Sequence, residues 1–163
     1  MTKTLQQVID SLRNELQQYG EMLALLEVQQ DVVTQREPQS VLTSIAAVET
    51  QSVAIETARQ DRETAQRQLA WALGLADNNY SYQYLLPLLP EEYHPLVTAL
   101  VEEINELLQR VRERAEQNHT QLRRALELME RFISTISPQA QSALLVGGQN
   151  SSEADPPPLS AIA

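Results

Sequence analysis

The chain has 163 residues, 42% hydrophobic and 21% charged, which suits one packed domain rather than a disordered chain. Twelve basic against 22 acidic residues give a net charge of −10, which repels phosphate backbones and anionic lipid surfaces and argues against nucleic-acid partners and membrane insertion. The absence of cysteine excludes disulfides, a thiol nucleophile and thiolate metal sites, and no stretch approaches the ~18 apolar residues of a membrane span.

The polar opening Met1-Thr2-Lys3-Thr4 does not read as a signal peptide, so a cytoplasmic protein is expected. From Leu5 the apolar residues recur at alternating spacings of four and three: Leu5, Ile9, Leu12, Leu16, Tyr19, Leu23 and Leu26, then polar Gln30, then Val33. A strict seven-residue repeat predicts a long coiled-coil-like helix over about residues 4–36. It should break at Glu37-Pro38, because proline disfavours the helical conformation in the residue before it and suits the first turn of the next helix. A second helix carries Val41, Ile45, Val48, Ser52, Ile55, Arg59, Arg62, Gln66, Leu69 and Leu73 at the same spacing and ends before Gly74. The first two helices should form an antiparallel hairpin with a very short link. Arg59 and Arg62 interrupt the second seam and are expected along its edge with their aliphatic stems packed; the alternative is a hairpin that splays into a wet groove.

Between Gly74 and Pro95 the pattern becomes irregular. Its leucines and tyrosines, from Tyr80, Tyr82 and Tyr84 through Leu85, Leu86, Leu88 and Leu89, are too many to leave in water, so the segment should lie across the bundle, with room for a helical turn. A third helix is predicted from about Pro90-Glu91-Glu92 to Ser137, its first-turn acids beside the positive end of the helix dipole. Its first half carries a seam of Tyr93, Val97, Leu100, Ile104, Leu107 and Val111. Its last turns crowd Leu122, Leu126, Met129, Phe132, Ile133 and Ile136. The polar stretch Arg112 to Gln121 between them reads as a phase change that turns the second stripe away from the first. Residues 138–163, with Gly147-Gly148 and Pro156-Pro157-Pro158, read as a flexible tail containing one apolar patch, Leu144-Leu145-Val146. The fold class is therefore all-α, a helical domain over 1–137 followed by that tail.

Little in this pattern resembles a reaction centre. Glu91-Glu92-Tyr93-His94 contains one Glu-x-x-His, but helical di-iron sites need two such motifs, and His119 has no glutamate three residues before it. The four glycines form no phosphate-cradling loop. No enzyme, cofactor or metal is expected. Apolar anchors spaced three and four residues apart point instead to a helical partner.

The Leu73-Gly74 helix end, the Leu-x-x-Leu-Pro connector ending in Leu89-Pro90-Glu91-Glu92 and the segment Val111 to Leu126 resemble the FlgN-type flagellar export chaperones over about residues 4–137. Members of that family commonly carry two asparagines three apart followed by a leucine pair. Asn118 matches the second asparagine and Leu122 the last leucine, whereas Ala115 and Gln121 depart from the pattern. The resemblance implies a chaperone that keeps hook-associated (hook-filament junction) proteins unassembled and delivers them to the flagellar type III export apparatus. It further implies a protein-binding surface at Asn118, Leu122, Leu126, Met129, Ile133 and Ile136, extended by Leu144, Leu145 and Val146. No tyrosine follows Tyr93, which puts in doubt docking to the export gate through a tail tyrosine. The competing expectation is a homo-oligomeric coiled-coil scaffold or adaptor, since the unbroken first seam also suits self-association.

Overall fold

The computed structural model of the protein describes residues 1–76 and 80–136. Three long helices dominate: α1 (Thr2–Gln35), α2 (Pro38–Ala72) and, after the four-residue α3 (Tyr82–Leu85), α4 (His94–Ile136). The first two form the expected hairpin. Arg36 turns the chain with a left-handed backbone (φ 57°), Pro38 opens α2, and the Glu37 carboxylate accepts a 2.7 Å hydrogen bond from the Ser40 hydroxyl. At the far end Gly74 (φ 75°) closes α2: its amide donates to the Trp71 carbonyl and the Leu75 amide donates to the Ala70 carbonyl. That pairing satisfies carbonyls the helix end would leave open, and glycine adopts the left-handed turn without steric cost.

The central element is α1. It packs against both α2 and α4, whereas α2 and α4 scarcely touch. Two neighbours require a broad buried face, and α1 has one. Beside the seam of Leu5, Ile9, Leu12, Tyr19, Leu23, Leu26 and Val33, it buries a second row at seven-residue spacing: Val8, Glu15, Met22 and Gln29. Together they span about 160° of the helix surface at ~100° per residue.

The two polar members of that row bind the two neighbouring helices. Glu15, fully enclosed at 0% exposure, accepts a 2.5 Å hydrogen bond from Arg62 Nε of α2 and a 3.2 Å bond from the Tyr19 hydroxyl. Arg62 also donates to the Gln66 side-chain oxygen, and Gln66 Nε2 donates to the Tyr80 carbonyl at 3.1 Å, tying the connector to the hairpin. Arg62 is therefore not an edge residue, and the hairpin does not splay around it. Its charge is drawn into the core by a carboxylate on the facing helix. Arg59 lies nearer the rim and pairs with Glu56 at 2.9 Å. Burial pushes the Glu15 carboxyl above its ordinary range although Arg62 pulls it down, and burial likewise raises the Tyr19 and Tyr82 hydroxyls.

The connector crosses the bundle as its leucines and tyrosines require. Tyr82, Leu85 and Leu89 are buried, Leu86 packs against the core, and Tyr84 and Leu88 remain outside. Two 3₁₀ turns, Leu86–Leu88 and Glu91–Tyr93, lead into α4, which begins at His94, four residues later than Pro90. The His94 Nε2 lies 2.9 Å from the Leu89 carbonyl.

Candidate functional site

The connector sits at the open end of the hairpin, and α4 runs from there alongside α1 toward the hairpin tip. Asn118 fixes their register. It is 1% exposed, and its amide donates to the Leu26 carbonyl at 2.7 Å and to Gln29 Oε1 at 3.0 Å. Arg114 donates to the Gln30 side-chain oxygen one turn away. Asn118, grouped with the protein-binding surface on sequence resemblance, is thus enclosed between two helices and positions α4 on α1. No partner can reach it while that packing holds.

Beyond Asn118 the two helices part company. Between Gln29 and its end at Gln35, α1 has less than two turns left, while α4 continues for about five turns to Ile136, or ~27 Å. The last turns of α4 project past the hairpin tip. Leu126 and Met129 are about half exposed, Phe132 is 67% and Ile136 65% exposed, and Leu122 and Ile133 are partly covered. The structure therefore brings five of the sequence-predicted site residues, Leu122, Leu126, Met129, Ile133 and Ile136, onto one surface. Leu144, Leu145 and Val146 lie outside the described residues.

The direction of that surface differs from the sequence expectation. Steps of three and four from Val97 pass through Leu100, Ile104, Leu108, Val111, Ala115 and Asn118, and then through Leu122, Leu126, Met129, Ile133 and Ile136. In one unbroken helix all twelve fall within about 80° of arc at ~100° per residue. There is no change of phase. Ala115 and Asn118 carry the stripe through the polar stretch, and Leu108 rather than Leu107 is the fully buried member of the first half. The distal stripe is the α1-packing face of α4 continued beyond the point where α1 ends.

A second row, absent from the predicted site, widens it. Leu128 is exposed like Phe132, one helical turn apart, with half-buried Ala125 beside them. A helical projection of residues 122–136 reveals this row, whereas a search for four-and-three spacing passes over it. The opposite flank is polar, with Arg123 and Glu130 exposed, and the end carries Arg123, Arg124 and Arg131 against Glu127 and Glu130. Three arginines against two glutamates leave this end slightly positive on an acidic chain.

This geometry offers apolar anchors at helical spacing, which recognise a helix and perform no bond chemistry. Among the described residues no three His, Asp or Glu side chains gather as metal ligands, and no helix is long and apolar enough to cross a membrane. No curated protein and no solved structure matches the chain. The profile of the family described as FlgN protein matches residues 1–148. Nearly the whole chain, the projecting end of α4 included, falls within that match: the chain belongs to the FlgN family, the cytoplasmic, non-enzymatic chaperones that bind hook-associated proteins and the flagellar export apparatus.

Proposed function

We propose that the projecting end of α4 is where this chaperone holds its hook-associated cargo, with Leu122, Leu126, Met129, Ile133 and Ile136 as the anchors. The supporting observation is the continuity of the stripe. A face that packs one helix along its first half continues along its second, where Leu126, Met129 and Ile136 are at least half exposed. A cargo helix laid there takes the position α1 would occupy if it were longer, and meets the same spacing of knobs and holes. Junction proteins assemble through terminal helices, so covering such a helix withholds it from premature polymerisation. The same reading counts Leu144, Leu145 and Val146, which lie outside the described residues, as further cargo contacts.

Charged substitutions on this face separate binding from folding, because the side chains concerned support little of the core. Leu126→Asp and Ile133→Asp should each abolish capture of a hook-associated protein in a pull-down while leaving the thermal unfolding midpoint within a few degrees of wild type. Cargo retained by both variants would place the site elsewhere.

A further inference from the structure

The two edges of the distal stripe of α4 differ in chemistry. At ~100° per residue, Ala125 and Phe132 lie about 70° to one side of its midline, and Arg123 and Glu130 about 90° to the other. Positions just outside an apolar seam are where charges on paired helices meet, and they decide which helices pair and in which register. Among the described residues neither Arg123 nor Glu130 forms an ion pair. Glu130 has no base three or four residues away on its own helix, since those positions hold Leu126, Glu127, Ile133 and Ser134. The one acid within that reach of Arg123 is Glu127, which Arg124 and Arg131 reach equally well. Both packed pairs of long helices in this molecule carry a polar contact across their seam: Arg62 on Glu15 joins α2 to α1, and Asn118 on Gln29 joins α4 to α1.

We infer that Arg123 and Glu130 determine which cargo helix is accepted and in which register, by pairing with an acid and a base on its facing edge. The inference rests on the cargo reading above and adds the chemistry of the partner. The cargo helix carries an acid opposite Arg123, a base opposite Glu130 two turns further along α4, and an uncharged edge where it meets Ala125 and Phe132. The apolar stripe alone cannot fix the register, because a helix with a seven-residue repeat can slip by two turns, ~10.5 Å, and still present knobs to holes. Arg123 and Glu130 are also seven residues apart. A slip in one direction therefore sets the cargo's acid against Glu130, and a slip in the other sets its base against Arg123. Exposed ion pairs add little affinity each, but like charges brought face to face penalise the wrong arrangement.

The test exchanges the two charges in the full chain, Arg123→Glu with Glu130→Arg, which leaves the net charge and every apolar anchor unchanged. Calorimetry measures affinity for a whole hook-associated protein at low salt and at ~0.5 M salt, where exposed charges are screened within a few ångströms. The exchange should weaken binding on the order of tenfold at low salt and by less than about twofold at high salt. The same exchange on the outward side of the helix, Glu127→Arg with Arg131→Glu, should leave affinity unchanged. Wild-type affinity in the first variant overturns the inference, as does an equal loss in the outward one or a loss that high salt does not relieve. If the exchanged chain loses helical signal, the neutral variant Arg123→Gln with Glu130→Gln decides by the same criteria, with an expected loss of about threefold at low salt. An effect that vanishes when residues 138–163 are removed assigns the two charges to the chain's own tail and overturns the inference. A change in self-association, read by sedimentation, in place of a change in cargo affinity assigns them to a second copy and overturns it equally. Retention of cargo by Leu126→Asp and Ile133→Asp sinks the cargo reading itself, whereas its loss from those two variants beside an unaffected exchange variant removes the charge requirement alone.

Discussion

At the scale of single residues, the most informative pair is Glu15 and Arg62. Two charges taken out of water lose hydration that their attraction only partly repays, and the upward displacement of the Glu15 carboxyl has that burial as its largest cause. The pair is better understood as a fixed point between α1 and α2 than as a source of stability. Its asymmetry is testable. Arg62→Met leaves a buried carboxylate without its partner and should cost about 3 kcal/mol in chemical denaturation. Adding Glu15→Leu to that variant should restore most of the loss, because a well-packed apolar pair replaces a buried ionic one at little cost or a gain. A double variant no better than the single would mean that the pair contributes net stability. Hydrophobic spacing could not locate this feature. Glu15 lies off the Leu5-to-Leu26 seam, and Arg62 interrupts the second seam, so apolar patterning assigns both to the surface. The recoverable signal is the seven-residue row Val8, Glu15, Met22 and Gln29, whose two polar members each meet a polar residue on a different helix.

At the scale of elements, the hairpin and the connector were legible because each is governed by local chemistry. Pro38 permits only one place for the break, Gly74 closes α2, and the leucines after Tyr82 have nowhere dry to go except across the bundle. The path of α4 was less legible. Its polar middle suggested a change of phase because Asn118 does not look like a packing residue, yet its two hydrogen bonds to α1 make it one. Which neighbour covers a stripe is decided by where that neighbour ends, and spacing within one helix does not encode it. The tight link between α1 and α2 carries one further consequence. Arg36 holds a left-handed conformation that costs an L-residue energy, and glycine there would relieve it. Arg36→Gly should raise stability by roughly 0.5–1 kcal/mol, the relief exceeding the added freedom of the unfolded chain. An unchanged or lower midpoint in denaturant would mean that the arginine side chain contributes more than its backbone costs.

At the scale of the whole molecule, the work is divided along the length of α4. Up to Asn118 the helix shares the core with α1, and its amides open only when that packing is lost. From Leu122 it has little beyond its own backbone hydrogen bonds, and a segment of about fifteen residues is marginal as an isolated helix in water. Local opening there needs no disruption of the core, so it should proceed at much lower free energy. Hydrogen exchange on the free protein should show amides in 122–136 exchanging on the order of a hundredfold faster, or more, than those between Val97 and Asn118. Adding a hook-associated protein should slow the first group selectively, because a partner that covers the stripe supplies the packing α1 cannot reach. Such a division suits a chaperone that must release its cargo: ordering the end of α4 offsets part of the contact energy, so a broad apolar contact need not become a permanent one. Equal protection along the whole of α4 before cargo is added would mean that the face is already covered, and the cargo would then have to displace whatever covers it.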